Sequence, residues 1–343
     1  MLYQLMYKDE VVLEFDSATP NIHAVVNAAF LPIGIQNGMT LESWLQQRRA
    51  DTSRVSIRKI ITTLKINFGR DKYISQYRRP TDFWWIKNKD SDDTFDMPIE
   101  DLHLLSLNLS PIVPTNPRNF EVSNIGSYEK GWRNNLLYKH GKVDEIFSEI
   151  LYAFISKKYI ETADYHPGDL IKDGTVLKQF TMTPNFVDLA KGEYLVLADE
   201  WTKTAANEYF DDWFERFKGT LSVEEVEQFK IMHFLDVLLN NGDRHCQNFG
   251  FVYNENGERR VAPNFDFNLS IIGHNGLELL GRNEMPVAWY FDLFDDVPNV
   301  MKNPPIVEEL DVYIAHICDL LELEFKNYQP VADWIINRWE QLL

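Results

Sequence analysis

The tightest constraint on this chain is the stretch from Leu235 to Asn268. An apolar run ending in two asparagines gives way to GDRHCQN, then to FGFVY, an ENGE turn, RRVAPNF and Asp266. Asn256-Gly257 is a strong two-residue turn signal between two short β-type runs, so the stretch predicts a β-hairpin with acidic and amide side chains at its outer ends. Upstream, Leu221 to Asn240 begins with Ser222 and Glu225 at capping-box spacing and carries Val226, Phe229, Leu235 and Leu239 on an apolar face. A packed helix therefore leads into the hairpin.

Asp243 and Asn248 stand five positions apart, and Asp266 comes at the far end of the hairpin. That order can gather two oxygen ligands and one further carboxylate around a common cleft. Mg²⁺ is a hard cation that favours oxygen donors. Asn248 and Asp266 can hold it against nucleotide phosphates while Asp243 orients an attacking hydroxyl and accepts its proton. The catalytic loop of protein kinases has the same Asp-x4-Asn spacing, with a metal-binding Asp later in the chain. Each residue also has a purely structural account: Asp243 as a turn cap, Asn248 bonded to hairpin backbone, Asp266 as a cap of the next segment. His245 is read as an organiser of the loop together with Arg244, and not as the base.

Two further elements fit phosphoryl transfer. Lys139 ends the strand-like LLYK, and Glu149 lies ten residues later on the next helical segment, where it interrupts an apolar face between Ile146 and Ile150. A strand lysine held by a helix glutamate can neutralise nucleotide phosphates; Lys142 and Lys130 are alternatives to Lys139. The preceding SNIGSYEKGWRN contains Gly126 and Ser127 and can curl over phosphates through backbone N–H groups, or serve as a plain linker. It is not a Walker A sequence, and no Gly-rich dinucleotide fingerprint occurs elsewhere.

The rest of the chain divides into a first section, residues 1–120, a second at 121–200 and a mainly helical third at 201–343. LYQLMY and VVLEF read as strands, AVVNAAF as a helix, and SPIVPTNPRNF as a Pro-rich exit. Thr175 to Thr181 and Tyr194 to Ala198 read as strands, and two periodic segments near the carboxyl end read as helices. Trp84-Trp85 could stack a base, but is expected to pack a sheet or lobe seam. The segment 41–90 carries 12 Lys and Arg against 5 Asp and Glu, a net +7. Its Arg48, Arg49, Arg54, Arg58, Lys59, Arg70, Lys72, Arg78 and Arg79 form either a solvated face or interlobe contact, or a docking patch for nucleic acid or an acidic partner.

Overall charge matters for partners. The 343 residues hold 34 Lys and Arg against 52 Asp and Glu, a formal −18, which disfavours general coating of nucleic acid or anionic membrane. No run approaches 18 apolar residues, so no membrane span is expected. Only two cysteines, Cys246 and Cys318, are present, and the amino terminus lacks a basic leader; a reducing, cytoplasmic setting is the expectation. The histidines and cysteines do not fall at zinc-site spacings, and no zinc is predicted. The adjacent acids Asp211-Asp212 and Asp295-Asp296 read as caps or solvated charge.

LDVLLNNGDRHCQNFGFV followed by VAPNFDFN resembles the carboxyl-terminal catalytic region of HipA-like serine/threonine kinases. A looser similarity runs from about Asn124 to the end, and residues 1–120 resemble the amino-terminal section of larger members less specifically. The resemblance implies an α+β, two-lobed protein-kinase-like fold with a mixed α/β amino-terminal section and a mainly helical carboxyl-terminal lobe. It implies ATP and Mg²⁺ as cofactors, Asp243 as catalytic base, Asn248 and Asp266 as Mg²⁺ ligands, Lys139 with Glu149 as the nucleotide-positioning pair, and a Ser or Thr hydroxyl of a protein as acceptor. Some members are toxins restrained by a small helix-turn-helix DNA-binding protein, so a regulatory partner of that kind is an expectation. The family's Ala-Gly-Ala-Gln-Pro-Lys loop reads Asn-Ile-Gly-Ser-Tyr-Glu-Lys in this chain, with Ser127 as the candidate modification site.

Two rival readings remain. Aminoglycoside and choline kinases use related Asp and Asn positions, so a small-molecule phosphotransferase differs only in its acceptor. A nucleotide-binding regulatory module without turnover, docking a partner through the basic segment, belongs to another class.

Overall fold

The computed structural model describes residues 2–16, 20–48, 78–95, 130–133, 135–172, 175–282, 284–304 and 307–343. Gly126, Ser127, the Pro-rich exit and the basic residues Arg49, Arg54, Arg58, Lys59, Arg70 and Lys72 lie outside them. The chain divides into two compact units. One comprises Met1–His140, Pro184–Ala206 and Gly250–Arg259, the other Gly141–Thr183, Asn207–Phe249 and Arg260–Leu343.

The first unit is built on an antiparallel sheet of strands β1 (Leu2–Tyr7), β2 (Glu10–Asp16), β3 (Ile22–Val25) and β4 (Trp84–Asn88), in the order β3-β2-β1-β4. Leu5, Leu13, Phe15, Trp85 and Ile86 are fully buried, so the Trp84-Trp85 pair packs the core as its apolar context predicts. The indole N–H groups still need acceptors: Trp84 Nε1 donates to the Phe30 carbonyl at 2.8 Å and Trp85 Nε1 to that of Lys8 at 2.6 Å. The AVVNAAF helix does not form. Ala24 and Val25 belong to β3, Val26 N and Asn27 N both donate to the Val12 carbonyl, and Asn27 caps a short 3-10 turn at Ala28–Phe30. Pairing with a distant strand outweighs the local pattern.

Helix α1 (Leu41–Gln47) starts at Thr40, whose hydroxyl accepts from Ser43 N at 3.1 Å. It ends on Arg48, which is 1% exposed and forms a bidentate pair with Asp82. Arg79 is mostly shielded as well, its side chain 11% exposed, beside Glu200. These two arginines therefore belong to the interior of the unit and to neither a solvated face nor a docking patch. Strands β5 (Lys130–Arg133) and β6 (Leu136–His140) form a hairpin turning at Asn135, φ +60°. Strand β9 (Tyr194–Leu197), followed by the short α3 (Ala198–Thr202), pairs antiparallel with β10 (Gly250–Tyr253). Gly250 is required there, because a Cβ would meet the Val196 carbonyl oxygen at 2.3 Å. Gly257, φ +80°, closes the turn after β10, as Asn256-Gly257 predicts, and Asn254 N donates to Glu258 O at 3.0 Å before β11 (Arg259–Val261) begins.

The second unit is mainly helical. Helix α2 (Val143–Ser156) buries Ile146, Phe147, Ile150, Leu151 and Ile155 on the face its periodicity predicts, and Glu145 accepts from Lys142 N at its start. Strands β7 (His166–Lys172) and β8 (Thr175–Pro184) come next as an antiparallel hairpin. Helix α4 (Phe210–Phe217) presents Phe210, Trp213 and Phe214 to Phe229 of helix α5 (Val223–Leu238). The predicted capping box is present: Glu225 N donates to Ser222 Oγ and Ser222 N to Glu225 Oε2. Helices α6 (Ala288–Leu293), α7 (Val307–Leu320) and α8 (Pro330–Leu342) complete the unit, with Trp339 against Phe234. No described helix is long and apolar enough to cross a membrane.

Candidate active site

Helix α5 delivers the chain to the Asp243 loop, and its end is unusually well specified. Asn240 adopts φ +57°, the left-handed conformation that terminates helices and that Asn tolerates better than most residues. Arg338, from α8, caps the carbonyl end: Nε donates to Leu238 O at 2.9 Å and Nη2 to Val237 O, while Nη1 pairs with Glu284 at 2.6 Å. A buried cation on the last carbonyls complements the helix dipole. The loop therefore leaves from a fixed point.

Within the loop, Asn248 Nδ2 donates to the Asp243 carbonyl at 2.8 Å, and Asn248 N donates to His245 O at 2.8 Å. The Asp243 side chain is 39% exposed, open to an acceptor, whereas Asn248 is buried. His245 organises the backbone: its N donates to Asp243 O, its Nδ1 accepts from Gln247 N at 3.3 Å, and its Nε2 is 4.0 Å from Asp243 Oδ1. A bridge between Tyr209 and His245, and bonds from Phe210 N to Arg244 O and Cys246 N to Glu208 O, attach the loop to the segment before α4.

Arg244 carries more of this arrangement than its place in the sequence suggests. It is 4% exposed and donates Nε and Nη2 to Asp236 Oδ2 and Oδ1 at 2.8 and 2.9 Å. Its Nη1 donates to two carbonyls, Asn248 O at 2.6 Å and Phe265 O at 2.8 Å. Asp236 Oδ1 also accepts from Tyr152 Oη and Asn241 Nδ2, both at 2.7 Å. Burial alone would lower the Arg244 pKa, but Asp236 outweighs it and the guanidinium is held well above its ordinary range. Burial and Asp236 push the Tyr152 phenol up in turn. The guanidinium, the carboxylate, the phenol and the Asn241 amide N–H thus pair with one another out of solvent, while Asn241 Oδ1 has no partner among the described residues.

Asp266 sits immediately beyond the second of those carbonyls, at φ +63°. Its N–H donates to Tyr165 Oη at 2.9 Å, and the next ring, Phe267, stacks on Tyr152 with centroids 4.1 Å apart. Ile271 N then bonds Leu239 O, and Ile272 N bonds Ser148 Oγ. A left-handed carboxylate residue pinned on both sides is the kind of backbone outlier that accompanies function.

A hard dication fits these donors. With Asn248 Nδ2 committed to Asp243 O, the end of that amide that would meet a cation is Oδ1, and the Asp266 carboxylate would add oxygen donors. Among the described residues there is no cluster of three or more His, Cys, Asp and Glu side chains able to hold a metal alone. A dication held there would need further donors, such as water.

The remaining predicted residues are divided between the two units. Lys139, in the first unit, is buried on β6 and stands in register opposite Lys130 on β5, so both face one side of the hairpin; Lys142 is exposed. Glu149, in the second unit, is 1% exposed and accepts from Thr181 Oγ1 at 2.7 Å. Among the described residues the structure thus brings Asp243, Asn248 and the Asp266 segment onto one hydrogen-bonded frame. Sequence reasoning missed Asp236 and Tyr152. Asp236 interrupts an apolar run between Leu235 and Val237, the same signal that singles out Glu149.

No protein-family model matches this chain, and no curated protein sequence matches it. Solved structures do. A chain of the Shewanella oneidensis MR-1 toxin–antitoxin complex of HipA, HipB and operator DNA superposes with a TM-score of 0.58 at 11% identity, covering 99% of this chain and 97% of its own. The fold is HipA-like. It has the two-lobed architecture expected from the sequence, with a mixed α/β amino-terminal region and a helical carboxyl-terminal lobe. The crystal structure of a Helicobacter pylori proinflammatory kinase, CtkA, aligns over 63% of this chain and 94% of its own, at 16% identity and a TM-score of 0.43. At 11% identity this likeness shows the fold alone.

Proposed function

We propose that this chain transfers the γ-phosphoryl group of ATP to a Ser or Thr hydroxyl of a protein. The observation that carries the reading is the shared frame of the site: Asn248 bonds the Asp243 carbonyl, and one guanidinium bonds the backbone at Asn248 and at Phe265, beside Asp266. Asp243, part exposed, orients the acceptor hydroxyl and takes its proton. Asn248 Oδ1 and the Asp266 carboxylate hold Mg²⁺, which when bound neutralises charge on the phosphates. Lys139, with Glu149 as its positioning partner, steadies the nucleotide, and the Gly126–Ser127 loop covers the phosphates. Preorganised donors and acceptors do most of the work in such a reaction, since little covalent chemistry falls to the protein.

Two buried free cysteines suit a reducing, cytoplasmic setting. The Shewanella complex joins HipA to HipB and operator DNA; for this chain a protein regulatory partner is proposed by analogy, and no direct contact with nucleic acid.

Labelling with radioactive ATP and Mg²⁺ tests the reading. Wild type should label itself or proteins of a cytosolic extract, and Asp243→Ala and Asp266→Ala should not. Transfer confined to metabolites would establish the small-molecule phosphotransferase instead, and nucleotide binding without transfer the regulatory module. Equal labelling by either variant would overturn the assigned roles.

A further inference from the structure

Arg244 invites a sharper assignment, one that rests on the phosphoryl-transfer reading above. Satisfying Asp236 requires only Nε and Nη2. The remaining edge, Nη1, reaches two carbonyls 17 positions apart in the chain, and these belong to Asn248 and to the residue preceding Asp266. Two candidate metal ligands on separate segments are thus tied to one rigid planar group. The guanidinium is in turn fixed by Asp236, whose Oδ1 is held by Tyr152 and Asn241. A planar fork with fixed donor directions sets the spacing of what it binds; an ammonium, a point charge on a flexible stem, does not.

We infer that Arg244 is a positioning residue that sets the separation of Asn248 and Asp266 for the metal–nucleotide complex, with Asp236 and Tyr152 as the mount that aims it. It touches neither nucleotide nor acceptor. Its effect therefore falls on metal affinity and on the transfer step, and leaves binding of metal-free nucleotide alone. Residues that orient metal ligands from behind typically change metal affinity or activity by about 10- to 100-fold when altered. A merely structural buried ion pair would change the unfolding midpoint and leave the metal dependence of the folded fraction unmoved.

The test uses the full chain and two variants. Arg244→Lys keeps a charge opposite Asp236 but cannot serve both carbonyls in the same geometry. Tyr152→Phe removes one bond to Asp236 while keeping the ring that stacks on Phe267. Mn²⁺ is titrated by electron paramagnetic resonance in the presence of a non-hydrolysable ATP analogue, the half-saturating Mg²⁺ for transfer is measured, and binding of the analogue without metal serves as the reference. Arg244→Lys should weaken Mn²⁺ and raise the half-saturating Mg²⁺ by about 10- to 100-fold. Tyr152→Phe should shift both in the same direction by less, and metal-free analogue binding should hold constant in both. Should Arg244→Lys fail to fold, the milder variant decides. Unshifted Mn²⁺ affinity in the folded variants, with an active wild type, overturns the positioning role alone; a wild type that binds no Mn²⁺–nucleotide and transfers nothing overturns the functional reading and this role with it.

Discussion

Among the described residues each unit buries a bidentate Arg–Asp pair, and the two pairs serve different ends. In the first, Arg48 donates to Asp82 at 2.6 and 2.8 Å, spends a further donor on Trp84 O at 3.1 Å, and lies over the Trp44 ring. In the second, Arg244 donates to Asp236 at 2.8 and 2.9 Å and spends its further donors on Asn248 O and Phe265 O. The ionic half of each arrangement is the same chemistry. The difference lies in the third contact: a carbonyl in the core strand β4 in one case, two carbonyls flanking candidate ligands in the other. A buried ion pair is weak evidence for net stability by itself, so the informative question is what its spare donors hold. By that criterion the first pair closes a fold and the second aims a site.

The comparison breaks first at Asp243. As the proposed general base on a partly exposed loop it is expected to supply rate and little stability. Asp243→Ala should lower transfer by about 10²- to 10⁴-fold, with a thermal midpoint close to that of wild type. A large fall in the midpoint together with unchanged turnover would make Asp243 the structural residue and remove the contrast. Arg48→Met is the opposite case. Removing one partner of a fully buried pair strands the other charge, at about 3–5 kcal/mol, so urea unfolding should shift strongly. The folded fraction should keep the wild-type Mg²⁺ dependence. An altered Mg²⁺ dependence would show that the first unit's clamp reaches the chemistry too.

A smaller effect separates backbone from charge at Asp266. At φ +63° an Ala side chain is strained by about 1–2 kcal/mol, while Asn tolerates this conformation. Asp266→Asn should therefore fold with near wild-type stability and still lose transfer, and Asp266→Ala should lose both. Equal stability of the two variants would indicate that the left-handed backbone stores no strain at this position.

The range of each signal decides how legible it is in the sequence. Strands β1 and β2, the Ser222 capping box and the Asn256-Gly257 turn are each encoded within a few neighbouring residues, and each appears as predicted. The spacing of Asp243 and Asn248 is likewise local. The helix expected at AVVNAAF gives way because Val26 and Asn27 find their acceptor at Val12, outside any local window. Arg244 is legible only in part for the same reason: the sequence names it beside His245 as an organiser of the loop, but its partners lie 8, 4 and 21 positions away. Charge alone groups Arg48 and Arg79 with a basic run, although burial gives them separate, internal roles.

The last contrast lies between two buried charges, Arg244 in the second unit and Glu200 in the first. Around Arg244, Asp236 outweighs burial and the charged form is favoured. Around Glu200 the balance falls the other way. Burial raises the carboxyl above its ordinary range, and Arg79, Arg48 and the Trp44 indole N–H at 2.7 Å only partly offset it. Burial lowers the pKa of the neighbouring Arg79 as well. The folded state therefore holds the Glu200 proton more tightly than the unfolded state does. Stability from this group is fully present below the ordinary value of 4.5 and is lost as pH rises through the folded value. Glu200→Gln cannot ionise and lacks that loss. Urea unfolding of both proteins across the interval from about pH 4 to 8 should show the advantage of wild type over Glu200→Gln shrinking steadily as pH rises. Because the other groups titrate in both proteins, the difference isolates Glu200. A flat or rising difference would mean that Arg79 and Trp44 compensate this carboxylate as fully as Asp236 compensates Arg244, and the contrast between the two sites would vanish.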